Sequence, residues 1–283
     1  MSKNSINIIS SKRGLFSINF KEIWQYRDLL TLFVKRDFIS VYKQTVLGPT
    51  WFVIQPILTT FIYTVIFGGI AGIGTDGIPK FLFYLAGITC WGYFSECFLK
   101  TSNVFVTNTE LFGKVYFPRM IAPLSIVVSN LLKFTVQFIL FIVAYCYYYL
   151  TGTNVHFNWV LTMVPILILL TALMGIGLGM VISSLTTKYK DLRFLIAFGV
   201  QLVMYTTPII YPFSLIKNKL GEYYWLAYFN PITPIIESFK YAFFGKGTLD
   251  LAGLTFSAIF AIVVMIVGTV IFNKVEKSFM DTV

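Results

Sequence analysis

The chain has 283 residues, of which 57% are hydrophobic and only 12% charged, with a mean hydropathy of +0.78 and a formal net charge of +10. A soluble domain carries about 25% charged residues to keep its surface in water, so this composition excludes a soluble fold and requires a surface that faces lipid. The positive charge would suit a nucleic-acid binder if it clustered on a soluble domain; here its layout follows membrane topology, and no nucleic-acid partner is expected.

The first 20 residues are mixed and polar, without the apolar core and small-residue cleavage site of a signal peptide. In residues 22–43, Ile23, Tyr26, Leu30, Phe33 and Val34 recur at helical spacing among Arg27, Lys35 and Arg36, with Lys21 just before. This predicts an amphipathic helix lying along the cytoplasmic headgroups or against another cytoplasmic protein. Leu47-Gly48-Pro49 then makes a corner.

A helix needs roughly 20 apolar residues, at about 1.5 Å each, to cross the hydrocarbon core. Six stretches qualify: 51–69, 81–99, 121–149, 159–185, 194–211 and 251–272. The third and fourth are longer than needed and should tilt, kink or project. Pro56, Pro123 and Pro165 fall early in their helices, where a missing backbone donor costs least. The segment 212–250 is too long for a turn and too apolar for a solvated loop, and its apolar pieces are too short to span. Two short helices dipping into the outer leaflet, broken at Asn230-Pro231 and Pro234, fit best, because non-helical backbone at that depth must be buried by protein or line a cavity.

The expected fold is therefore an all-α membrane protein: six transmembrane helices, an N-terminal amphipathic interfacial helix, and a short re-entrant helix pair before the last span. Residues 1–50 form a cytoplasmic segment, 51–273 the transmembrane domain with its re-entrant region at 213–250, and 274–283 a cytoplasmic tail. With the N-terminus inside, the cytoplasmic segments hold sixteen Lys and Arg and the opposite side five, namely Lys80, Lys217, Lys219, Lys240 and Lys246. That asymmetry places both termini in the cytoplasm.

Signs of catalytic chemistry are scarce. Cys90, Cys97 and Cys146 lie in apolar stretches without metal-ligand spacing, and His156 is the single histidine. The cysteines read as small buried hydrophobes and no metal site is expected. No phosphate-binding loop is present; the fragments Gly113-Lys114 and Gly245-Lys246-Gly247 lack its glycine framework and its Ser/Thr. Glu96 and Lys133 are the only charges inside the spans, placed to snorkel or to pair within the bundle. Gly175, Gly177 and Gly179 suggest close helix packing. Paired carboxylates on one helix and a D-x-D motif are missing, so an embedded glycan-modifying enzyme finds little support. The scarcity of intramembrane charge argues against a lone secondary transporter.

Motifs in a fixed order carry a resemblance. They are Arg36-Asp37, then Tyr42-Lys43-Gln44-Thr45-Val46-Leu47-Gly48-Pro49-Thr50-Trp51 with Gln55-Pro56, and Ala86-Gly87 with Trp91. Lys114-Val115-Tyr116-Phe117-Pro118-Arg119, Tyr189-Lys190-Asp191, Thr207-Pro208-Ile209-Ile210-Tyr211-Pro212 and Phe229-Asn230-Pro231-Ile232 follow. Across nearly its whole length the chain resembles the ABC-2 family of polysaccharide permeases, which serve O-antigen, capsule and teichoic-acid export. Lys190 departs from the family's usual Arg before the Asp, which matters little if only a cation is needed.

The resemblance implies a non-enzymatic permease subunit in a bacterial inner membrane, exporting a lipid-linked polysaccharide. O-antigen is the first reading; teichoic acid, capsule, or a smaller lipid or drug are the alternatives. It implies a homodimer with two copies of a separate ATPase, which alone would bind ATP and Mg, and an undecaprenyl-linked glycan as cargo. This chain would bind no cofactor. The segment 108–118 would couple to the ATPase through Leu111, Phe112, Lys114, Tyr116 and Phe117. Leu47, Gly48, Pro49 and Trp51 would form a cytoplasmic gate. Aromatic faces stack on sugar rings and hydroxyls satisfy sugar hydroxyls, so Tyr63, Tyr205, Thr206 and Tyr211 are candidates for the passage. Tyr223, Tyr224, Asn230 and Pro231 are candidates for an outer re-entrant gate.

Overall fold

The structure, a computed structural model, describes residues 20–43, 45–115, 117–152, 158–189 and 191–282. The chain begins with α1 (Phe20–Gln25) and α2 (Arg27–Tyr42), and a 3-10 turn (Gly48–Thr50) leads into α3 (Trp51–Tyr63). α3 widens into a π-helical turn (Thr64–Ile70). α4 (Lys80–Ser102) is followed by two short helices, α5 (Val104–Thr107) and α6 (Thr109–Lys114), and by the long α7 (Ile121–Leu150). A 3-10 lead-in (Trp159–Met163) precedes α8 (Val164–Lys188). Then come α9 (Leu192–Thr206), α10 (Phe213–Leu220), a 3-10 stretch (Gly221–Phe229), α11 (Thr233–Phe244) and α12 (Leu251–Thr282). There is no strand among the described residues.

Among the described residues, five segments are long and apolar enough to cross a membrane: Gly48–Ile70, Lys80–Ser102, Ile121–Leu150, Trp159–Lys188 and Leu251–Val275. The chain is a multi-pass membrane protein. The stretch expected to span at 194–211 is instead a 15-residue helix, α9, that stops at Thr206. At 1.5 Å per residue α9 reaches about 22 Å. Its end has a plain cause: Pro208 disfavours helical backbone at the preceding residue, and Thr207 is extended, with ψ 142°.

α4 and α8 form the centre of the bundle and are buried over most of their length, whereas α3, α7 and α12 present largely exposed apolar faces. α8 packs along α4 on one side and α12 on the other. Its glycines make this possible. A Cβ on Gly175 would sit 2.9 Å from Cys97 Cβ on α4, and one on Gly177 would sit 2.8 Å from the Met265 backbone nitrogen on α12. The predicted close-packing face is thus a two-sided seam.

α2 carries its apolar residues inward as the periodicity predicts. Phe33 is buried and Leu30 partly buried; Ile23 of α1 and Tyr26, where the expected single helix breaks in two, are partly buried as well, and α2 lies along α7. The apolar stripe therefore covers this chain's own surface. In the region before the last span, α11 is buried along almost its whole length against α4, α8, α12 and the lead-in to α8. Phe239, Phe243 and Phe244 interlock with Phe141 on α7 at centroid distances of 4.9–6.2 Å, and Tyr145 donates to the Phe243 carbonyl at 3.0 Å.

Candidate functional site: the two ends of the bundle

α4 joins two assemblies, one where it begins and one where it ends, roughly 34 Å apart for 23 residues. At the end carrying α2, α5 and α6, aromatic side chains build a compact cluster. Phe105 of α5 and Phe112 of α6 meet at 5.8 Å across the break at Asn108, and Phe105 stacks on Phe272 of α12 at 4.6 Å. Phe117 packs on Phe112 at 5.6 Å and edge-on to Phe33 of α2 at 5.5 Å. The Arg119 guanidinium lies over Phe112, and Arg36 on α2 donates to Asn108 Oδ1 at 3.2 Å.

This arrangement divides the expected coupling residues. Phe112, 1% exposed, and Phe117 are core members that brace α6. Leu111 is half-buried, Lys114 and Val115 face outward, and Tyr116 lies outside the described residues. Glu110 is exposed beside Lys114 at 3.7 Å. Glu110 on α6 and Val115 just after it also face outward and were not among the expected coupling residues; the break at Asn108 hides this face from a helical period.

The corner before α3 has one position that demands glycine. Gly48 adopts φ +55° with open space around it, so the requirement is conformational. Leu47 and Trp51 flank it, both exposed, and Pro49 is exposed as well. Gly48→Ala is expected to lower the unfolding midpoint by an amount worth about 1 kcal/mol; an unchanged midpoint would show that the corner tolerates an ordinary conformation.

Glu96 and Lys133, the intramembrane charges, pair. The Glu96 carboxylate lies 2.7 Å from Lys100 and 3.4 Å from Lys133, and Lys100 also donates to Asn130 at 3.1 Å. With its side chain only 13% exposed, Lys133 is held between α4 and α7, its ammonium also over the Phe52 ring of α3. Glu96→Gln should therefore lower stability, and adding Lys133→Met should recover part of the loss, with a coupling of about 1 kcal/mol. Strict additivity of the two substitutions in thermal unfolding would rule the pairing out.

At the other end, side chains from several elements gather round the close of α9. Tyr63 packs edge-on to Phe67 at 5.3 Å and to Tyr84 at 6.2 Å. Tyr211 donates to the Tyr205 carbonyl at 2.9 Å, while the Thr206 hydroxyl turns back onto Val203. Asn230 donates to Thr207 Oγ1 at 2.7 Å, beside Pro231, and joins the helix pair to α9. Two of the four expected passage residues, Tyr205 and Tyr211, are thereby bonded to each other, and one gate residue, Asn230, is bonded to the same helix end. Tyr223 stands apart, 65% exposed like Trp225 and Phe229 of the same 3-10 stretch. The Tyr224 side chain lies outside the described residues.

The sequence reading missed the ionic groups here. Lys240, counted there as a loop cation, is 2% exposed, and Glu237 one turn earlier is 6% exposed. They lie 3.8 Å apart. Burial pushes the Glu237 carboxyl up and the Lys240 ammonium down, and each opposes the other's shift. Nearby, Ser214 of α10 donates to Asp76 at 2.8 Å and Lys246 to the Gly77 carbonyl at 2.7 Å, tying the 71–79 loop to both flanks of the helix pair. Lys80 reaches back to the Gly68 carbonyl and closes the turn after α3. The signal for the buried pair was available: Glu237 and Lys240 are the only charges in a 12-residue helix and share a face at i, i+3.

Residues 28–244 match the family described as ABC-2 type transporter. Two proteins of Klebsiella pneumoniae named "O-antigen export system permease protein RfbA" are each 29% identical to the chain over 255 residues, covering 90% of it and 94% of their own length. A Myxococcus xanthus protein of the same name is 25% identical over 264 residues, covering 93% of the chain and 98% of its own length.

Proposed function

The chain belongs to the ABC-2 type transporter family, and on that premise we propose that it is the permease subunit of an ATP-driven exporter carrying lipid-linked O-antigen across a bacterial inner membrane. The observation that carries this reading is the likeness to the two Klebsiella permeases over nearly the full length of both chains. The cargo would be linked to undecaprenyl, and ATP with Mg would bind a separate ATPase subunit. Two permeases and two ATPases would make the complex.

In this reading the α5–α6 end is cytoplasmic. The outward face of α6, with Glu110, Leu111, Lys114 and Val115, docks the ATPase, while Phe112 and Phe117 hold that face in place. Leu47, Gly48, Pro49 and Trp51 form the mouth through which the lipid-linked sugar enters. Tyr63, Tyr205, Thr206 and Tyr211 line the far part of the passage between two permeases, with Asn230 and Pro231 at the outer gate and Tyr223 and Tyr224 at the headgroups.

Six crossings follow if α9 and the buried connector from Thr207 to Pro212 together complete the fifth. The even number agrees with the Lys and Arg asymmetry, and the burial of Lys240 removes one cation from the outer side of that count. Tags at either terminus should be inaccessible to a membrane-impermeant protease in spheroplasts, whereas a tag at 153–157 should be cut. Termini cleaved on opposite sides would contradict six crossings.

The function is tested by deleting the gene in its own host. Loss of surface O-antigen, with lipid-linked polymer accumulating inside and restored by the intact gene, is expected. Unchanged O-antigen with loss of capsule, teichoic acid or a smaller lipid would assign the cargo to that class.

A further inference from the structure

The last turn of a helix leaves carbonyl groups without partners, and in an apolar layer each must find one. At the close of α9 backbone and side chains share this task. The Val203 carbonyl accepts from the Thr207 amide and from the Thr206 and Thr207 hydroxyls, the Met204 carbonyl accepts from the Thr207 amide, and the Tyr205 carbonyl accepts from Tyr211. The Pro208 carbonyl, in a fully buried stretch, accepts from the ammonium of Lys240 on α11. Asn230, just ahead of α11, supplies the second tie through Thr207. Ile209 sits against Gly87 of α4, where a Cβ would come within 3.0 Å of it, so the connector is seated as well as tied.

Lys240 is fully committed. Its ammonium faces the Pro208 carbonyl, the Glu237 carboxylate at 3.8 Å and the Phe83 ring at 3.6 Å. A buried ion pair is seldom needed for stability, since apolar residues of similar volume often serve as well. What methionine in this place would not supply is the bond to Pro208. We propose that Lys240 is a positioning residue that ties α11 to the end of α9, so that the helix pair and the Tyr205–Tyr211 end of α9 move as one body. Glu237, 3.8 Å away and beyond hydrogen-bond range, adds no bond to this tie.

The tie can be read by hydrogen–deuterium exchange on the full chain in lipid nanodiscs. In the charge-free double variant Lys240→Met/Glu237→Gln, the amides of residues 207 and 209–211 should exchange at least tenfold faster than in the wild type, with 167–180 on α8 unchanged. Exchange at these amides within threefold of wild type in that variant would overturn the proposal. Glu237→Gln alone keeps the bond to Pro208 and should stay within threefold. A tenfold rise there would also overturn it, and this variant carries the test if the double one fails to insert. A second arm, which rests on the export reading, uses the complex with its ATPase. Because a tie that transmits movement matters to coupling and not only to folding, ATP hydrolysed per polymer exported should rise at least fivefold in the double variant; an unchanged ratio would overturn the joint movement. If the wild type exported no polymer, the export reading alone would fail, and the exchange result would still decide the tie.

Discussion

Gly177→Val is expected to prevent recovery of a stable, monodisperse protein. At Gly177 the α8 backbone meets the α12 backbone directly: a Cβ would stand 2.8 Å from Met265 N and 2.9 Å from the Val264 carbonyl carbon. The approach is mutual, since a Cβ on Gly268 would stand 2.5 Å from the Gly177 carbonyl oxygen. A flexible side chain could swing aside, but backbone cannot, so the helices must separate and lose dispersion contacts along the seam. Overpacking costs typically 1–3 kcal/mol, and backbone-to-backbone collision puts this substitution at about 3 kcal/mol or more. Gly199→Ala on α9 is the control, because a Cβ there meets nothing within 4 Å. It should be neutral or slightly stabilising through helix propensity. A Gly177→Val protein with the wild-type unfolding midpoint would contradict the seam.

The second large effect is the separation of docking from bracing at α6. Lys114→Glu with Val115→Asp should abolish co-purification of the ATPase while leaving the unfolding midpoint within a degree or two, because both side chains are exposed. Phe112→Asp should do the opposite. It places a carboxylate among Phe105, Phe117 and Arg119, and burying a poorly compensated charge costs several kcal/mol. Loss of the ATPase in that variant would reflect a collapsed end rather than a lost contact. Retained ATPase with Lys114→Glu/Val115→Asp would remove α6 as the docking element.

What the sequence made legible follows from how far each signal reaches along the chain. Apolar runs of 19 or more residues report the long apolar helices within a few residues, and the period of Ile23, Tyr26, Leu30 and Phe33 reports the inward face of α1 and α2. Gly175, Gly177 and Gly179 announce close packing, although not that one helix packs against two partners. The end of α9 was misplaced by five residues because the run through Ile209-Ile210 remains apolar, while Pro208 had already ended the helix. Phe112 and Phe117 looked like docking anchors because a short polar segment suggests exposure. Only the contacts with Phe33 and Phe272, remote in sequence, show them turned inward. Lys240 is the clearest case: in composition it is a loop cation, and its role appears once the Pro208 carbonyl, 32 residues earlier, is seen beside it.

The central claim is that this chain conducts a lipid-linked polysaccharide only when a separate ATPase drives it. The direct measurement is translocation of undecaprenyl-linked O-antigen in proteoliposomes holding the purified chain, with and without the ATPase and ATP. Polymer should become accessible on the far side only when the chain, the ATPase and ATP are all present. Translocation by the chain alone, or one driven by an ion gradient without the ATPase, would contradict the account.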